Sequence, residues 1–412
     1  MPEGVILPRE YEPPSLEGVC TDVARWLNGS ALPLWADRGQ DASGLFHERL
    51  DFDGRPDLTA MRRVRVQARQ LFVFSEAAMM GWQGGAEEIV TRGLEAFVSR
   101  CWAPDGEPGW AHILTPDGAL ADPTRDTYDH AFALLALASV WRYTRSDLAL
   151  QMRDRTLAFI DEALSEPIHG GLHEALPQPL PRRANPHMHM LEAMLAWHAV
   201  TGDAEFRTRA NQLVQLFVDR FYDPGSETLG EFYDEAWREI DSAPRVVEPG
   251  HHFEWTWLLH EAADQGCLDA RAQAAGLFRF GMAFGLDQSG LAIDELRANG
   301  AVARASRRTW PQTELIKALV VMARDGDLKA LARLPFTVQA LMRTYLGTPT
   351  PGLWFDQFDA QGRTQDSHAP ASTFYHLVMA FRELLDAGEE LAVEATYEFP
   401  AAAVQPSQAS SV

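Results

Sequence analysis

His251 and Glu254 stand three residues apart in GHHFEWTWLL, and His189 and Glu192 stand three apart in NPHMHMLEAMLAW. At that spacing the two members of a pair share one helix face. A carboxylate beside an imidazole fixes its orientation and raises its basicity, which suits proton transfer near neutral pH. His376, in STFYHLVMAF, is a third imidazole, alone in an apolar run. Taken singly, each is as well read as a hydrogen-bonded core histidine. Their spacing argues otherwise. Arg69, His130, His189, His251, Glu314 and His376 follow one another at steps of 61, 59, 62, 63 and 62 residues, each in or beside an apolar helical run. Six similar units, each bringing a polar group to one shared place, would produce that period.

The elements that must position these groups read as helices. Apolar periodicity and stop signals predict twelve, near 15–29, 57–80, 84–101, 126–144, 147–164, 186–200, 204–222, 250–264, 267–286, 309–324, 326–345 and 371–387. They alternate in kind. One set is amphipathic, as in AEFRTRANQLVQLFVDRF; the other is apolar almost all round apart from the markers above. A helix apolar on every side is buried on every side, so the second set forms an inner ring and the first covers it. Four long loops, at 169–183, 230–250, 290–308 and 352–370, carry hairpin-like text, and each precedes an inner helix. They therefore lie at one end of the ring, where they should frame a cavity. Asn185 and His189 sit at an inner helix start, and Arg69 offers a planar fork of donors for adjacent oxygens. Trp310, Trp354 and Phe355 offer flat surfaces for a sugar ring, although core packing explains such residues equally well.

With 412 residues, the repeat implies one all-α domain over 1–400, followed by a disordered tail at 401–412. A net charge of −22 disfavours nucleic acid and anionic lipid as partners. Arg62, Arg65 and Arg69 form a local basic stripe at i, i+3 and i+7, read for the first two as a solvated face. Three scattered cysteines suggest neither a disulfide framework nor a metal knuckle. No membrane span and no secretory leader is expected, which makes a cytoplasmic protein the simplest reading. Homo-oligomerisation stays open.

Two other chemistries compete at this stage. The His-x-x-Glu pairs could supply ligands to a metal, although the remaining inner helices offer Arg69 and amides rather than further carboxylates. Glu254 and Glu314 could be the two carboxylates of a glycoside hydrolase, but the histidines would then have no task.

The segments VQARQLFVF, YDHAF, HGGLHE, NPHMHMLEA, EPGHHFEWTWLL, WPQTE and STFYHL together resemble the N-acylglucosamine 2-epimerase superfamily, most closely its mannose isomerase and sulfoquinovose isomerase branch, over nearly all of 15–390. The resemblance implies an (α/α)6 barrel. It implies His251, with Glu254, and His376 as catalytic residues. It places Arg69, Asn185, His189, Trp310 and Glu314 around the substrate. His130 and His252 have no role carried over. Neither a metal nor a nicotinamide is implied, and no GxGxxG or Walker loop is present. The activity implied is ring opening of an aldose and transfer of its C2 proton through a cis-enediolate. Mannose to fructose is the expected reaction. A sugar 2-epimerase, a sulfoquinovose isomerase and a non-catalytic sugar- or protein-binding barrel are the alternatives.

Overall fold

Each inner helix begins where a strand of two or three residues ends. The protein, seen here in a computed structural model, is described over residues 13–240, 245–364 and 366–398. The expected tail at 401–412 lies outside the described residues. The inner helices are α3 (Val64–Met79), α5 (Thr127–Thr144), α7 (Asn185–Thr201), α9 (Pro249–Asp264), α11 (Thr309–Arg324) and α13 (Ala371–Glu398). They touch in that order, and α13 returns to α3, closing the ring. The outer helices are α4 (Ala86–Cys101), α6 (Asp147–Phe159), α8 (Ala204–Leu216), α10 (Arg271–Phe284) and α12 (Leu328–Tyr345). A sixth outer rod comprises α1 (Leu16–Trp26) and α2 (Leu32–Arg38), joined through a π turn at Leu27–Ala31. The architecture is the twelve-helix (α/α)6 barrel expected. Among the described residues no helix is long and apolar enough to cross a membrane.

The short strands add a second closure. The strand before each inner helix pairs antiparallel with the mouth loop of the next unit, for example Arg62–Arg63 with Ile113–Leu114 and Arg182–Arg183 with Phe232–Tyr233. The last strand, His368–Pro370, pairs with Arg49–Asp51 of the first unit. Mouth loops therefore number six rather than four: 39–63 and 102–126 carry strands as well. The helix expected from 57 starts only at Val64, because Arg62 and Arg63 are held in strand pairing. Arg62 consequently leaves the helical stripe. It is buried, with an ion pair of 2.6 Å to Asp41, rather than on a solvated face.

Inside the ring the period resolves into two registers. Gln67, His130, His187, His252 and Gln312 are all buried and all tie a mouth loop to its helix. His130 Nε2 accepts from the Trp110 N–H (3.1 Å), while Nδ1–H donates to the Asp126 carbonyl (2.8 Å). His187 does the same with Leu172 and Arg183, and His252 with Leu229 and Glu248. Gln67 and Gln312 satisfy both backbone groups of Phe46 and Ala292 with one amide each. In the sixth unit Phe374 packs on Trp354 instead, with ring centroids 5.2 Å apart. His130 is thus not a cavity group, and burial drives it down to about 4, so it is neutral at pH 7. His130→Ala would leave the Trp110 N–H unsatisfied and a void behind it. The expected cost is about 3 kcal/mol of stability. Urea unfolding should show that loss, with turnover per folded molecule unchanged; a catalytic defect without a stability defect would contradict this placement.

Candidate active site

Two residues beyond each member of that register, on the opposite side of the helix, stand Arg69, Phe132, His189, Glu254, Glu314 and His376. Their steps are 63, 57, 65, 60 and 62 residues. This is the register that faces the barrel axis. Above it, the mouth loops and the first turns of the inner helices frame a cavity of about 300 Å³. Arg69, Asn185, His189, His251, Glu254, Trp310 and His376 all line it. Of the expected site residues only Glu314 does not; it is fully buried behind His376 and supports that ring rather than a substrate.

Trp310 sits between the two candidate catalytic imidazoles. Its ring centroid is 5.1 Å from that of His251 and 5.9 Å from that of His376. The expected pairing of His251 with Glu254 does not occur. Nδ1–H of His251 donates to Glu231, whose two oxygens lie at 2.9 and 3.0 Å. His251 is in the first turn of α9 and reaches up to the mouth loop, whereas Glu254 is a turn lower and faces inward. His376 is not without a partner either: its Nδ1–H donates to Glu314 Oε1 at 2.9 Å. Each imidazole is thereby locked by a carboxylate at Nδ1; Nε2 of His376 is left for the cavity, and Nε2 of His251 meets the Asn185 side-chain amide at its edge, 3.4 Å away.

Their charges differ. Burial opposes a charge on His251, but Glu231 and Glu248 outweigh it and lift the imidazole to about 9. Burial, then Arg69, Lys317 and His189, hold His376 well below the ordinary imidazole range. At neutral pH the cavity therefore presents one imidazolium and one free base, the division of labour that general acid–base chemistry requires.

The other groups have distinct tasks. Arg69 donates to the Ser372 carbonyl (3.2 Å) and the Tyr128 hydroxyl (2.8 Å), with its guanidinium 4.0 Å above the Phe132 ring. That fixes the plane of its fork. His189 and Glu192 do pair, at 3.0 Å, and Tyr375 donates to the other Glu192 oxygen. Burial keeps His189 below its usual range, with Arg69 adding to the effect, which favours a neutral ring whose Nε2 can accept a hydrogen bond from the cavity. Burial, with Glu314 and Glu192 nearby, pushes Glu254 far up, which favours its protonated form, a donor at the cavity floor.

Glu231 and Tyr128 were absent from the sequence-derived site. A second repeat identifies the first of them. Glu48, His112, Glu174, Glu231, Asp294 and Asp356 recur at steps of 64, 62, 57, 63 and 62, one in each mouth loop. Most serve structure: Glu48 holds Arg63, Glu174 holds Arg183 and Asp294 holds Arg308. In the fourth unit the same position meets His251. Tyr128 carries no such signal, since its hydroxyl reaches Arg69 only through helix packing.

Comparison with known proteins bears on the family and the fold. The family model for N-acylglucosamine 2-epimerase matches residues 44–380. A mannose-6-phosphate isomerase of Rhizobium meliloti (strain 1021) is 36% identical over 89% of this chain and 96% of its own. A D-mannose isomerase of Thermobifida fusca is 29% identical over 59% of this chain and 64% of its own. The solved structure of cellobiose 2-epimerase from Spirochaeta thermophila DSM 6192 shares the fold, with a TM-score of 0.82 at 22% identity, covering 91% of this chain and 98% of that one. The chain belongs to the N-acylglucosamine 2-epimerase family.

Proposed function

We propose that this protein is a cytoplasmic aldose–ketose isomerase that interconverts D-mannose and D-fructose without a metal or nucleotide. The observation that carries the reading is the pair His251 and His376, on either side of Trp310, locked at Nδ1, the first charged and the second neutral. The His251 imidazolium donates to the ring oxygen O5, and its freed nitrogen takes the O1 proton, which opens the sugar and restores the imidazolium. Neutral His376 then takes the C2 proton at Nε2. Negative charge grows on the carbonyl oxygen, where the Arg69 guanidinium and the Glu254 acid are placed to donate; aimed donors of this kind are usually a large catalytic contribution. The O2 proton passes to O1 across the cis-enediolate as His376 returns its proton to C1, giving the ketose. Metal chemistry is not needed for this sequence of transfers. Two groups that share Glu254, one with His189 and Glu192 and the other with Glu314 and His376, each come close enough to hold a cation. The Lys317 ammonium, 2.6 Å from Glu314, already supplies one.

A neutral hexose suits the mouth better than a phosphorylated or sulfonated one. Arg63 and Arg308 do line the cavity, but Glu48 neutralises the first, and Glu248 (2.8 Å) and Asp294 (2.9 Å) neutralise the second. A dianion there would meet as much negative as positive charge.

A single experiment tests the whole reading. Mannose in deuterated water with EDTA should give fructose as main product, carrying deuterium at C1, as seen by proton NMR. Mannose 6-phosphate should be turned over at least about tenfold less well, as uncompensated charge predicts. Glucose forming first, with deuterium at C2, would replace the isomerase by a 2-epimerase, which two histidines flanking one ring would also serve. Preference for the phosphate ester would overturn the substrate, and loss of activity in EDTA restored by manganese or zinc would overturn metal independence.

A further inference from the structure

This chain has 36 cationic side chains, and only two are lysines: Lys317 and Lys329. Lys329 is exposed on α12. Lys317, on inner helix α11, is fully buried. Its Nζ lies 2.6 Å from Glu314 Oε2 and 3.8 Å from the centroid of the Trp257 ring. It occupies the layer beneath the sugar cavity. On the far side of that layer is a separate cavity of about 400 Å³, walled by Phe72, Leu135, Glu192, Trp257 and Met379 among others. The groups that face the layer come from all six inner helices. They are Arg69 from α3, Phe132 and Leu135 from α5, His189 and Glu192 from α7, Glu254 from α9, Glu314 from α11, and Tyr375 and His376 from α13.

Glu192, Glu254 and Glu314 are three buried carboxyl groups in one layer, and any of them that is ionised there requires a compensating cation, since unpaired charge in such a place is strongly unfavourable. Arginine, used almost everywhere else in this chain, would present a broad planar fork. An ammonium is a compact charge with donors that can point to several oxygens at once. We propose that Lys317 is a positioning residue of the reaction: its ammonium holds the Glu314 carboxylate ionised and in place against Nδ1 of His376, so that Nε2 of His376 meets the sugar as a free base. The proposal rests on His376 being the base. Burial opposes the charge on Lys317, but Glu314, Glu254 and Glu192 outweigh it and raise the ammonium above its ordinary value. The same positive charge is among the causes that hold His376 low.

The sign of the kinetic effect follows from treating Glu314 and His376 as one coupled group. A cation beside the pair discourages it from taking up a proton. Lys317→Met keeps the length of the side chain and removes the charge, so the pair should take up its proton at higher pH. The acidic limb of kcat/KM is therefore expected to move up by about one to two pH units. A purely structural role would lower stability or the whole profile without moving the limb, and an unmoved limb overturns the proposal. Should the variant fail to fold, the wild-type protein still decides. With lysine labelled by carbon-13 at Cε, only two signals appear, and Lys329→Arg assigns them. The Lys317 signal should keep its ammonium position through the pH, about 10.4, at which an ordinary lysine titrates. A neutral amine at pH 8 overturns the proposal. This second measurement uses no substrate, so it stands apart from any failure of the isomerase reading.

Discussion

Asparagine in place of His376 is expected to lower kcat by about 100- to 10,000-fold, the usual contribution of a positioned acid–base group. The side-chain amide of Asn can still donate towards Glu314, which holds Nδ1–H of the native ring at 2.9 Å. What it lacks is a basic nitrogen facing the cavity. The loss should therefore fall on kcat, with little change in KM, because only the proton transfer from C2 is affected. Circular dichroism should be unchanged. A variant that keeps more than about a hundredth of native turnover would place the base elsewhere.

His251→Asn is expected to cause a loss of similar size, and here pH separates cause from consequence. The imidazolium must be charged to donate to O5, and it is raised to about 9. Native kcat/KM should hold at neutral pH and fall as the pH rises through about 9. The variant should lack that alkaline limb. Glu231→Gln removes the anion that supports the charge, so the limb should move down towards the ordinary histidine value. Glu254→Gln should not move it comparably, because Glu254 comes after Glu231 and Glu248 among the groups that raise His251 and makes no hydrogen bond to its ring, whereas Glu231 does. If Glu254→Gln displaces the alkaline limb and Glu231→Gln does not, the helical pair read from the sequence was right and the assignment of Glu231 is wrong.

That contrast marks where sequence reasoning stopped. The six-unit period was legible because every unit repeats one supersecondary element, and the apolar inner helices could be told from the amphipathic outer ones by composition alone. Most site residues were legible for the same reason: Arg69, Asn185, His189, Trp310 and His376 stand at the starts and inward faces of inner helices. The period was nonetheless read across two registers. His130 and His251 were placed in one series with Arg69 and His376, although His130 braces a mouth loop. A step of about 60 residues has a tolerance of two or three, and two residues along a helix is the difference between facing the axis and facing away.

The sequence by itself determined the ring of twelve helices, the end at which the loops gather, and the presence of histidines there. These follow from local periodicity and from repetition, both of which are carried in the order of residues. Tertiary structure alone decided the partners. Glu231 lies 20 residues before His251, and Glu314 lies 62 residues before His376. Such contacts arise because closing the ring brings a mouth loop or a neighbouring helix against each imidazole. The charge on each histidine is set by those distant neighbours. His251 gains Glu231 and Glu248, while His376 faces Arg69 and Lys317. Two residues of one type, in helices of one kind, thus become an acid and a base through long-range electrostatics that no local pattern encodes.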